Sequence, residues 1–285
     1  PDELEILGIT TVAGNVPLDL TQRNARIMCE LAGKTDVPVF AGCEKPIRRN
    51  LITAENVHGK TGIDGVEVYQ PDMPLQDQHA VDFIIETLLG ADDNSITIVP
   101  TGPLTNIGQA ISKQAAILPK IKDIVLMGGA MREGGNTTPC AEFNILEDPD
   151  AAHIVLQCGR PLTIVPLDVT HQALVSQRRI DQIGELDSAV GTAIVGMMEF
   201  FNRFDSEKYG SEGAPLHDPC TIAFLLQPGL FTGKMCNVEV ETESPLTMGH
   251  TAVDFWGVTD RVKNANWLYR VDADGFFALL IDRLK

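Results

Sequence analysis

Short apolar runs alternate along this chain with longer stretches whose apolar positions recur every three or four residues. The short runs predict strands at 5–12, 37–41, 95–100, 124–127, 162–166 and 235–240. The longer periodic stretches predict helices at 18–32, 79–90, 104–114, 148–157, 176–185 and 189–205. Asp148-Pro149 and Ser176 are start signals, and Gly33, Gly90 and Gly159 are stops. Strand–helix alternation predicts βαβ units: an α/β fold with an open, mostly parallel sheet flanked by helices. The segment 49–74 is rich in Gly and polar residues and reads as a long loop. Segment 202–214, with Tyr209, Gly210 and Gly213, reads as a second, lid-like excursion or an ordinary surface loop.

At 285 residues the chain is near the upper limit for one hydrophobic core, so a single large domain over 1–285 is expected. Lys and Arg total 22 against 39 Asp and Glu, a net charge of -17. Nucleic acids and anionic membranes are therefore poor partners, because neutralising phosphates needs clustered cations. No apolar run approaches the roughly 18 residues of a membrane span. Cys29, Cys43, Cys140, Cys158, Cys220 and Cys236 contain no C-x-x-C pair, which points to free thiols in a reducing cytoplasm. The chain opens on Pro1 and is almost at once strand-like, so a segment before Pro1 is expected; a signal peptide there stays open.

Polar clusters follow the apolar strands. After Ile124–Met127 and the Gly128-Gly129 break come Asn136, Glu142 and Asn144, a set suited to a neutral, hydroxyl-rich ligand. Gly14-Asn15 ends the first strand, either as a pocket amide or as an Asx turn. His58-Gly59 lies in a glycine loop. Thr101-Gly102-Pro103 can aim the Thr101 carbonyl at a cation, or simply connect strand to helix. His217-Asp218-Pro219 opens a helix over 220–226; Asp218 can cap it, or ligate a hard cation while His217 donates a proton. Asp168, near His171, can orient that histidine or, the reading favoured, hold loop amides, and Asp272-Ala273-Asp274-Gly275 reads as a turn before a C-terminal helix. There is no G-x-S-x-G and no cysteine with a base nearby in sequence, so covalent catalysis has no support. Phosphate-binding loops are also absent, which disfavours phosphoribosyl transfer.

Taken in order, Gly8–Asn15, Val57-His58-Gly59, Thr101–Asn106, Leu126–Gly129, Ala141–Asn144, Leu167–His171 and Leu216-His217-Asp218 resemble the inosine-uridine-preferring nucleoside hydrolases over essentially the whole chain. The resemblance implies their Rossmann-like fold, N-glycosidic cleavage of ribonucleosides, one bound Ca2+ and a homodimer or homotetramer. Asn136, Glu142 and Asn144 would hold ribose hydroxyls above Met127, and Asn15 would lie near the ribose and the attacking water. Asp218 and the Thr101 carbonyl would bind calcium, and Asp218 would also touch the sugar. His217 would be the proton donor and His58 would line the base pocket. Family members begin with a strand ending in D-x-D-x-x-x-D-D, and no such run occurs here. The resemblance thus implies the family's domain without its first strand and helix. Such a chain would have exposed apolar sheet edges, bind metal poorly and be inactive itself. A non-catalytic nucleoside- or ribose-binding protein is the alternative. Purine against pyrimidine preference is not set by these motifs.

Overall fold

The computed structural model describes residues 3–209 and 213–285, with the side chains of 204–209 outside the description; residues 210–212 of the lid-like segment, and the Tyr209 side chain, therefore lie outside it. Eleven helices are described: α1 (Leu18–Leu31), α2 (Glu55–His58), α3 (Ala80–Leu89), α4 (Thr105–Lys113), α5 (Phe143–Glu147), α6 (Pro149–Leu156), α7 (Leu167–Thr170), α8 (Gln177–Gly184), α9 (Ala189–Tyr209), α10 (Pro219–Leu226) and α11 (Ala273–Leu284). Strands β1 (Ile9–Thr11), β2 (Val39–Ala41) and β3 (Leu75–Gln76) pair in that order, all parallel. A five-stranded sheet contains β4 (Ile96–Ile98), β5 (Ile121–Met127) and β6 (Leu162–Val165), again parallel. It continues through β12 (Ala265–Val271), parallel to β6, to β9 (Phe231–Cys236), antiparallel to β12. Two small antiparallel pairs complete the strands: β7 (Leu174–Val175) with β8 (Ala214–Pro215), and β10 (Val238–Val240) with β11 (Thr251–Val253).

The stretch Ile124–Met127 of β5 is apolar without alternation because both faces are covered. All four residues of β6 are buried, as are Ile124 to Met127 of β5. Ile124, Leu126, Ile164 and Trp267 pack with Ile107 of α4 and Val155 of α6 in one core. Helices α4 and α6 approach closely: a Cβ on Gly108 would sit 2.9 Å from Ala151 Cβ. The start of α6 has the expected chemistry, with Pro149 in its first turn and Asp148 accepting from Ala151 N at 3.0 Å. Asp272 caps α11 in the same way, through Gly275 N.

β1 and β4 are both edge strands among the described residues, so the sheet comes in two portions. All three residues of β4 are only half-buried. The portions are stitched at their carboxyl ends by Asn106, which donates to Thr11 O at 2.8 Å and accepts from Cys43 N at 2.9 Å. A largely apolar cavity of about 370 Å³ lies between α10, α11 and Thr101.

Three expectations change. The strand expected at 235–240 is two strands broken at buried Asn237, whose side chain donates to Val262 O at 2.9 Å. β12 was not expected, yet it is central to its sheet. His58 closes the one-turn helix α2, and the positive φ of +78° belongs to Gly59 behind it. No helix among the described residues is long and apolar enough to cross a membrane.

Candidate active site

The loops that leave the carboxyl ends of β1, β4, β5 and β6 gather on one side of the molecule, where open α/β sheets hold ligands. They enclose a cavity of about 610 Å³, within the usual range for small-molecule sites. Its lining includes Asn15, His58, Thr101 and Met127. Asn136, Glu142, Asn144, His217 and Asp218 line the same cavity.

Glu142 is the N-cap of α5 and only 2% exposed. One carboxylate oxygen accepts from Asn144 N at 3.0 Å; the other accepts from Gly129 N at 3.0 Å and Ile145 N at 3.2 Å. A carboxylate has about four acceptor positions, so one is left for a ligand hydroxyl. Burial pushes this carboxyl up to about 7, against the pull of the three amide donors. The Asn144 side-chain nitrogen donates to Met127 O at 3.1 Å and reaches Thr101 O at 3.4 Å. That arrangement turns the other end of the amide, its Oδ1, into the acceptor available to a ligand. Asn136 Oδ1 accepts from Phe143 N at 3.0 Å and so clips its loop onto the start of α5.

Asp218 stands at the N-cap position of α10, but its side chain makes no capping bond. The cap reading fails, and the carboxyl instead faces the cavity. Desolvation by the surrounding protein, then the charge of Glu142, raise it to about 7. His217 Nδ1 lies 2.7 Å from Thr170 Oγ1. Burial first, then the charges of His171 and His58, lower this imidazole to about 3. The His171 ring is 6.0 Å from that of His217, and its Nδ1 is 3.0 Å from Glu133 Oε2. Asp168 does not orient His171; it accepts from Met131 N and Arg132 N, each at 2.7 Å, the loop-holding role read from the sequence.

The opposite wall was not legible as a site. Met197, Met198, Phe200 and Phe201 of α9 line the cavity, and Phe201 stacks on His58 with centroids 5.4 Å apart. The only sequence signal is a helix carrying adjacent apolar pairs, which are too wide for one buried stripe. Burial lowers His58 to about 4. The loop after α2 meets α9 through two glycines: a Cβ on Gly65, whose φ is +101°, would lie 2.2 Å from Gly196 O. Gly65→Ala is therefore expected to lift this loop off α9. His58, no longer buried, should then titrate near the ordinary value of about 6.5. NMR titration of His58 checks this, and an unchanged pKa would mean that the loop stays docked.

The sequence pattern of a known family, described as inosine-uridine preferring nucleoside hydrolase, matches residues 1–278. The chain belongs to this family. It is 44% identical over 283 residues to the pyrimidine-specific ribonucleoside hydrolase RihA of Shewanella sp. (strain ANA-3), covering 99% of this chain and 88% of that protein. It is 46% identical to an uncharacterized protein of Schizosaccharomyces pombe (strain 972 / ATCC 24843), covering 99% of this chain and 91% of the other. A solved purine-preferring ribonucleoside hydrolase from Gardnerella vaginalis superposes with a TM-score of 0.92 at 34% identity, covering 100% of this chain and 91% of that one. A plant nucleoside hydrolase gives 0.93 at 30% identity, with 99% and 91% covered. The cavity thus lies in a fold shared with enzymes named for opposite base preferences.

Proposed function

We propose that the protein hydrolyses the N-glycosidic bond of ribonucleosides, giving free base and ribose. The observation that carries this reading is one cavity lined by two unlike sets: Glu142 hydrogen-bonded to Asn144, and His58, which stacks on Phe201 and whose charge reaches His217. Acceptors on Glu142 and Asn144 suit ribose hydroxyls, with Asn136 and Met127 beside them. Asn15 and Asp218 face the same space, where water must approach the sugar. Cleavage passes through an oxocarbenium-like state, and the carboxylate of Glu142 favours that positive charge. His217 is neutral at pH 7, because burial lowers its pKa. Negative charge growing on the departing base opposes that shift, so the imidazole takes up a proton from solvent and passes it to the base nitrogen as the bond breaks.

The resemblance also implies calcium, and Asp218 and the Thr101 carbonyl are this chain's donors for it. Calcium takes about six to eight oxygens. Among the described residues no group of three or more His, Cys, Asp or Glu forms a metal site, and Thr101 O already faces the Asn144 amide. These donors alone do not fit a calcium ion. The small acidic set favours a second reading, non-catalytic binding of nucleosides or ribose. Release of reducing sugar from inosine or uridine, measured with calcium and with a chelator, separates the two. Hydrolysis predicts release of reducing sugar, and the chelator arm reports whether a metal takes part; no release with calcium present supports binding alone. We also place the protein in the cytoplasm, as a homodimer or homotetramer; the location is supported by six free cysteines.

His217→Ala is expected to slow base release by about 10²-fold or more while leaving free ribose binding unchanged. Single-turnover rates and ribose titration report the two effects. Equal losses in both would remove the proton-donor role.

A further inference from the structure

Helix α5 is five residues long and every one is buried. It carries Glu142 at its cap and a second carboxylate, Glu147, as its last residue. Glu147 is 1% exposed and accepts from Ile52 N with both oxygens, at 3.1 and 3.2 Å. The residues on either side of it hold the same loop. Arg49 donates to Leu146 O at 3.0 Å, and Asp148 accepts from Ile47 N at 2.9 Å. A buried carboxylate is an expensive anchor for one main-chain amide, since an apolar side chain would avoid desolvating a charge. What it fixes is the path of the loop. Just beyond Ile52, Ala54 N donates to Asn15 O at 2.9 Å, and Thr53, Asn56 and His58 face the cavity.

We propose that Glu147 is a positioning residue for nucleoside binding, setting the base-side wall at Thr53–His58 against the ribose-side cap at Glu142 through the rigid span of α5. Glu147 touches no ligand itself. The inference rests on the nucleosidase reading and deepens it.

The test compares binding of inosine, uridine and free ribose by calorimetry. Glu147→Ala leaves Ile52 N without an acceptor. It should weaken binding of both nucleosides about tenfold or more, the loss expected when a charge-assisted hydrogen bond is removed, with ribose affinity unchanged. Glu147→Gln keeps an acceptor oxygen and should restore nucleoside affinity. Ile52→Pro removes the donor from the loop side and should repeat the selective loss, which decides the matter if Glu147→Ala does not fold. Equal weakening of ribose and nucleosides, or wild-type affinities in folded Glu147→Ala or Ile52→Pro, would overturn the proposal. Wild-type protein that binds no nucleoside at all would instead overturn the nucleosidase reading.

Discussion

Glu142→Gln is expected to lower kcat/KM for nucleoside cleavage by about 10²- to 10³-fold. The substitution keeps the shape and reverses half of the chemistry. Glu142 offers acceptors to Gly129 N, Ile145 N and Asn144 N. Glutamine must turn its NH2 toward at least one of these donors, which opens the start of α5 and moves Asn144. It also removes the negative charge beside a sugar that becomes positive. Steady-state kinetics check the loss, and a fall of less than about tenfold would show that the charge is not used. The same variant carries a stability signature. The folded carboxyl is raised from 4.5 to about 7, so the folded state holds its proton more tightly than the unfolded one. Wild-type stability contributed by this group is present below 4.5 and is lost as pH rises toward 7. Thermal unfolding across that window should therefore show wild type declining relative to Glu142→Gln.

Trp267→Ala is expected to destabilise the fold by about 3–5 kcal/mol. Trp267 is fully buried in β12, opposite Ile164 of β6 and Lys234 of β9. Its ring reaches the glycine turn: a Cβ on Gly129 would lie 3.2 Å from it. Gly129 is one of the amides that hold Glu142, so the cavity left by alanine lies under the cap of α5. Thermal unfolding should show the loss, and activity should fall with it. Trp267→Phe should be far milder, because the indole N–H it removes has no hydrogen-bond partner among the described residues. If alanine and phenylalanine cost the same, packing is not what Trp267 contributes.

Two buried parallel strands were legible because runs without alternation, such as apolar Ile124–Met127, need both faces covered. β12 was not, for a physical reason. Its pairing with β9 shifts register between Leu268 and Arg270, so buried Ala265, Trp267, Leu268 and Val271 follow no single period. The break at Asn237 was hidden because the residues beside it, Cys236 and Val238, are both apolar and buried. Within the cavity, polar residues released after apolar strands could be found by position. Asn136, Glu142 and Asn144 stood out because a strand end needs no amide or carboxylate for its own stability. Glu147 did not stand out, since nothing local ties it to Ile52, 95 residues away. The α9 wall was equally silent: methionine and phenylalanine read the same whether they face a core or a ligand.

On the proposed reading, that wall sets a ceiling on discrimination between bases. Met197, Met198, Phe200 and Phe201 present thioethers and rings, which attract any base through contact area and stacking. A pocket that reads only size separates ligands differing by one small apolar group by about 1–3 kcal/mol. Sharp preference for one base therefore has to come from polar groups of the cavity, His58 and His171 among them, or from how tightly the wall closes. A single added hydrogen-bonding side chain on α9 would shift the choice of base more than any rearrangement of the methionines, while leaving the sugar-cleaving groups untouched.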